Sequence, residues 1–191
     1  MSTEPARSAK TDHDEPITRE DDLDDENYQV RELFAQFGLA IYTAQTLEKG
    51  LVNVASIAKG NDDPRATRND FDAIFETTNR KTMGAVLLAL KPYLARDSEL
   101  ISDLESALLT RNRLAHSFFW EHAADFMTMS GRERMLAELH LATVQFTDLD
   151  TRLTPVLDRL LAARGIDQTR KQQLLDEAMA ELLEHTTHPN S

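Results

Sequence analysis

The sequence predicts an all-α protein, most simply an up-and-down bundle of four to six helices with one long N-terminal helix. Three observations carry this. Apolar residues recur at three- and four-residue spacing over long stretches, which places them on one face of a helix. Turn and capping residues separate those stretches. No segment alternates with the two-residue period of a strand, and there is no internal repeat or glycine-rich phosphate loop.

Residues 1–25 come first and predict a disordered acidic tail. They hold nine acids and three bases, with Pro5, Pro16 and only scattered apolar residues, too little to offset the entropy of ordering. The run Glu20 to Glu26 reads as solvated rather than as a cation or basic-partner site. From about Glu26 to Lys59 the pattern is one long helix, with Leu33, Phe37, Ala40, Ile41, Ala44, Leu47, Leu51 and Ala55 along one face. On that wheel Glu48 falls between Phe37 and Ile41, and Gln45 lies further out on the same flank. A buried carboxylate needs a partner. A structural salt bridge is therefore the first reading of Glu48, and a site role the second.

Gly60-Asn61-Asp62-Asp63-Pro64 is a turn cluster that ends this helix. A short segment from Asp70 to Thr78 follows, with Phe71, Ile74 and Phe75 on one side. Thr82 is a suitable cap for a helix from Met83 to about Leu90, which Pro92 ends or kinks. Ser98 is the expected cap of the next helix, running from Glu99 to about Phe119. Ser130-Gly131-Arg132-Glu133 fits a capping box opening a helix to about Ala163, lined by Met135, Leu139, Ala142, Phe146, Leu149, Leu153, Leu157 and Leu160. Pro155 predicts an interruption with a kink, and Gly165 a C-terminal cap. A last helix is expected from Asp167 to about Glu184. The bundle domain thus spans residues 26–184, with a flexible C-terminal tail at 185–191.

Composition narrows the function classes. The net charge is −12, from 33 acids and 21 bases, so the chain gains no general attraction to nucleic acid. Any RNA contact requires a local basic cluster. No run approaches the ~18 apolar residues of a spanning helix, and Met1-Ser2-Thr3-Glu4-Pro5 lacks the features of a secretory signal. There are no cysteines, so disulfides and thiolate metal sites are excluded. The expectation is a cytoplasmic protein without a membrane span, metal or other cofactor.

Chemistry concentrates in Arg111-Asn112-Arg113-Leu114-Ala115-His116-Ser117-Phe118-Phe119-Trp120. On a helix over residues 99–119, Leu104, Leu108, Leu114, Ala115 and Phe118 define the apolar face. Arg111 sits inside that face, one turn after Leu108, while Arg113 points to the opposite side. Asn112 and His116, four apart, are neighbours on the flank. Arg111 and His116 diverge by roughly 140° in a regular helix. They converge on one ligand only if the helix tightens or breaks, or if a symmetric partner supplies the second copy.

Arg111-Asn112-Arg113-Leu114-Ala115-His116 resembles the Arg-polar-x-x-x-His motif of the HEPN superfamily of small all-α proteins. The resemblance strictly covers six residues. It implies a four-helix bundle with the motif on a late helix, a homodimer with a composite site, and a metal-independent endoribonuclease of toxin or anti-phage and stress defence type. Arg111 and His116 would be its catalytic residues and Asn112 the polar residue that positions them. Members paired with nucleotidyltransferase antitoxins usually carry a tyrosine two residues after the histidine. Phe118 stands there, which argues against that subtype and leaves the wider family open.

In such a site a ribose 2′-hydroxyl attacks the adjacent phosphate, giving a 2′,3′-cyclic phosphate and a 5′-hydroxyl. His116 suits general acid or base work near neutral pH, and Arg111 offers a fixed fork of donors to phosphate oxygens. Glu48 and Gln45 would support Arg111 from behind, and Arg113 would contact substrate. An RNA substrate and a protein inhibitor or partner are the implied ligands. The rival reading is a non-catalytic interaction or assembly module in which Arg111 is simply paired with Glu48.

Weaker signals stay with their plainer readings. His185-Thr186-Thr187-His188 has metal-ligand spacing but no third ligand, and His122 and His140 look isolated. Arg80-Lys81, with Lys91 and Arg96, reads as solvated surface rather than a basic rim. Phe118, Phe119 and Trp120 read as core or dimer interface rather than base-stacking platforms.

Overall fold

A computed structural model describes residues 25–187, all of whose regular elements are helical. Six helices have eight residues or more: α1 (Asp25–Asn61), α2 (Arg68–Asn79), α3 (Met83–Leu90), α4 (Ser98–His116), and, after two single turns, α7 (Met129–Ala162) and α8 (Gln168–Thr187). The single turns are α5 (Phe118–Glu121) and α6 (Ala123–Phe126). The expected all-α bundle with a long first helix is what forms. Residues 1–24 of the acidic tail, and His188 onward, lie outside the described residues.

Side-chain pairs give the helix directions. Gln29 meets Arg132, and Asn61 reaches the Leu160 carbonyl, so the two long helices α1 and α7 run parallel. Gln145 bonds Ser106 while Arg152 bonds Asp103, so α4 is antiparallel to α7. Lys49 of α1 reaches Asn79 at the end of α2, which therefore doubles back. Lys171 of α8 meets Asp158 of α7 at 2.6 Å. The chain thus runs one way along α1, back along α4 and forward again along α7, the up-and-down order of a helical bundle.

The core lies between α1 and α7, closed by α3 and α4. Leu33, Ala40, Leu47 and Leu51 of α1, Leu87 and Leu90 of α3, Leu100 and Leu104 of α4, and Leu139, Phe146 and Leu149 of α7 are all essentially inaccessible. Each such leucine stabilises the fold by about 2 kcal/mol. Phe37 and Ile41 only flank this core, which leaves Glu48 on its edge. No helix among the described residues is long and apolar enough to cross a membrane.

Several ends differ from the sequence reading. α4 is capped by Asp97, whose carboxylate accepts the Leu100 amide at 3.0 Å, and Ser98 is its first residue. α7 starts at Met129 because Thr128 Oγ1 takes the Gly131 amide at 3.1 Å; the Ser130 capping box does not form. Both cases have a competing cap one or two residues upstream. Pro155 does not end α7, which continues to Ala162. Facing solvent, Pro155 leaves the preceding turn's free carbonyl to water. α8 runs to Thr187, so the expected flexible tail at 185–191 is helical at its start.

Other signals form as read. Thr82 caps α3, accepting the Ala85 amide. Gly165 adopts φ 74°, and the Gly165 and Ile166 amides return to the Ala162 and Leu161 carbonyls. This is the left-handed turn glycine favours at a helix C-terminus.

Candidate active site

α4 stops at His116. The next residue, Ser117, has φ −136° and ψ −11°, and its amide still donates to the Arg113 carbonyl at 2.9 Å. The expected helix to Phe119 is therefore broken directly after the histidine, and Phe118 to Glu121 form a separate turn. Phe118 packs inward, as its place on the apolar face leads one to expect. Its ring stacks on Phe37 at 5.8 Å and meets Phe119 edge-on at 5.3 Å. Phe119 also contacts Phe34 and Phe37. Trp120 instead stands 85 % exposed.

Arg111 bridges α4 to α1. Its Nη2 donates to Glu48 Oε2 at 3.2 Å, and its Nη1 to Asn112 Oδ1 at 3.3 Å. Burial alone would penalise either charged group, so Glu48 and Arg111 lower each other's cost. The Arg111 side chain remains 30 % exposed. A guanidinium has five donors, and these two bonds leave others to face solvent.

Arg111, Asn112 and His116 line one cleft of about 510 Å³, together with Glu48 and Leu108. Its far wall is the α2–α3 connection and the start of α3: Arg80, Lys81, Thr82, Met83 and Gly84. Three permanent cations, one imidazole and one carboxylate therefore share the space. α4 stays helical through both Arg111 and His116, so the break after His116 does not turn one towards the other; what they share is the wall of one cleft.

Two residues named with them stand elsewhere. Gln45 is exposed on α1 and does not line the cleft. Arg113, expected to touch substrate, is occupied on another face: its Nε donates to Glu121 at 2.6 Å, and Nη2 pairs with Glu138. The Glu121 bond, reinforced by Glu138, holds the Arg113 guanidinium above its ordinary value.

His122, which looked isolated, belongs to this same network. Its Nδ1 lies 2.9 Å from Asp125, and its Nε2 lies 3.0 Å from Glu138 and 3.1 Å from Arg113 Nη2. Bonds from Ser117 and Arg113 hold the Glu121 carboxyl below its usual range, and His122 and Arg134 do the same for Asp125. The network ties the last turn of α4 to α5, α6 and α7. The three-residue spacing of His122 and Asp125 and the four-residue spacing of Ser117 and Glu121 were its local signals. Glu138 comes from a different helix.

The remaining basic residues separate. Lys91 pairs with Glu105 at 2.5 Å, and Arg96 lines another hollow with Tyr93 and Arg159. Of the suspected rim, Arg80 and Lys81 alone reach the His116 cleft among the described residues. His140 is exposed on α7. His188 lies outside the described residues, so the His185 pair forms no described site. No family model, curated protein or solved structure matches this chain.

Proposed function

We propose that the protein is a HEPN-like, metal-independent endoribonuclease of the cytoplasm, acting as a homodimer in a toxin or defence setting. The observation that carries this reading is the cleft shared by Arg111, Asn112 and His116, with Glu48 behind the guanidinium. In the reaction, the ribose 2′-oxygen bonds to phosphorus while the bond from phosphorus to the 5′-oxygen breaks. An imidazole takes the 2′-hydroxyl proton, and an acid returns a proton to the departing 5′-oxygen. His116 performs one of these transfers and its copy in a second protomer the other. Arg111 stabilises charge growing on the non-bridging oxygens, and Asn112 holds the guanidinium or the phosphate in place.

The test is incubation of the purified protein with single-stranded RNA and a chelator, with analysis of the ends produced. Products carrying 2′,3′-cyclic phosphate are expected, and His116→Ala and Arg111→Ala proteins of unchanged helicity should lose at least about a hundredfold in rate. Full activity in either variant would overturn the assignment. The rival reading, a non-catalytic assembly module, draws on the Glu48–Arg111 ion pair itself, which serves as well to lock α1 onto α4. A protein that cuts no RNA but loses its folding cooperativity in Arg111→Ala fits that rival.

A further inference from the structure

We propose that Arg80 and Lys81, on the connection between α2 and α3, form a second phosphodiester subsite, so that the cleft takes a single RNA strand across at least two phosphates. The inference rests on the ribonuclease reading above and adds the residues that hold the strand beside the reacting bond.

Charge is the first argument. The chain carries −12 overall, yet the cleft wall presents Arg80, Lys81 and Arg111 against a single carboxylate, Glu48. That carboxylate is already bonded to Arg111. An acidic protein repels a polyanion at long range, so any strand it binds must be held where cations are locally in excess. Arg113, the cation nearest His116 in sequence on the α4 side, is held by Glu121 and Glu138 and does not line the cleft.

Availability is the second. Arg80 has a carboxylate partner in Glu76, but at 3.8 Å with side chains 80 % and 65 % exposed. Such a pair holds its members weakly and yields to a phosphate. Lys81 is exposed on the cleft wall. Thr82 caps α3 immediately afterwards, so the positive end of the α3 dipole faces the same space.

Shape is the third. The cleft, about 510 Å³, is larger than one phosphate needs, and half-buried Leu108 adds an apolar patch to its lining. A ribose and base fit that lining while phosphates reach the cations on either side. A cleft walled by α4 on one side and the α2–α3 connection on the other admits one strand, whereas a duplex would rest outside it.

The experiment uses 2′-O-methyl oligoribonucleotides, which lack the attacking hydroxyl and cannot be cleaved by this chemistry. Fluorescence anisotropy would measure binding to the full-length protein, to Arg80→Ala/Lys81→Ala, and to Arg65→Ala as a control that removes an exposed cation at the other end of α2. The double variant is expected to bind about tenfold more weakly, with a salt dependence shallower by about 0.7 per cation removed. Arg65→Ala should bind like the native protein. In cleavage assays the double variant should raise KM while leaving kcat nearly unchanged. Equal binding by all three proteins, or no binding by the native protein, would overturn the subsite. The two readings fail separately. Strand binding lost in the double variant but without any cleavage of ordinary RNA removes the enzyme and leaves the subsite. Cleavage with unaltered KM in the double variant removes the subsite and leaves the enzyme.

Discussion

Glu48 and Arg111, separated by 63 positions in the chain, meet at 3.2 Å across the α1–α4 boundary. The carboxylate accepts from Nη2 alone, and Asn112 accepts from Nη1, so the guanidinium plane is held at two points. Replacing Glu48 by Gln keeps the acceptor and removes the charge. The expected stability loss is only about 1 kcal/mol, because both side chains keep partial access to water. On the ribonuclease reading proposed above, the expected loss in kcat is about tenfold, as Arg111 loses its alignment. Thermal unfolding and steady-state kinetics measured on the same protein separate the two. A large stability loss with native turnover would make Glu48 a structural tie.

Acid should weaken the network around Arg113 and His122. The folded protein holds Glu121 and Asp125 below their ordinary values of 4.5 and 3.8. A depressed carboxyl contributes stability that is fully present above its ordinary value and is lost as pH falls through the lower folded value. Asp70 and Asp158 are depressed as well, by bonds from Thr67 and Lys171 respectively. Urea midpoints should therefore hold steady down to about pH 5 and then fall. Glu121→Gln should flatten that fall; a curve parallel to the native one would exclude Glu121 as a contributor.

Tyr93 donates its phenolic hydroxyl to Asp62 at 2.5 Å, linking the α3–α4 connection to the turn after α1. That bond, helped by partial burial and the Asp62 charge, pushes the phenol up to about 12. Here the sign is opposite to the carboxylates: the stabilisation is present below the ordinary value of 10.0 and disappears as pH rises through the raised one. Ultraviolet titration of phenolate should show Tyr93 ionising late. Asp62→Ala should bring that step down towards the ordinary value, and an unchanged titration would show that the bond does not persist in solution.

Gly131 lies where the first turn of α7 presses on α6. A β-carbon there would overlap the backbone of Asp125, including its carbonyl oxygen, and backbone cannot rotate aside as a side chain can. Gly131→Ala should cost about 3 kcal/mol despite the better helix propensity of alanine. Because α6 carries Asp125, the variant should also disturb His122. Denaturant unfolding together with the His122 ring resonances in NMR would show both effects, and native stability would contradict the close approach.

Much of the fold was legible because its causes are local. Helical period, the Thr82 cap and the Gly165 turn each depend on residues within about one turn of one another. The starts of α4 and α7 differ from the expected Ser98 and Ser130 caps for the same reason: Asp97 and Thr128 are equally local caps, and a shift of one or two residues decides which amide is nearest. At the candidate site, Arg111 announced itself as a cation on an apolar face, and Glu48 as an anion on another.

Arg113 shows where local reading stops. Its place on the opposite side of the helix was visible, but its capture by Glu121 and Glu138, and His122's membership of the same network, were not. Sequence alone established the helices, their order and the two oppositely charged residues on apolar faces, since these follow from spacing along one chain. Packing decided that α4 breaks after His116 and that Arg80 and Lys81 join its cleft while Arg113 does not. Those outcomes depend on how separate helices lie against one another, and the side chains involved sit up to dozens of residues apart with no periodic signal connecting them.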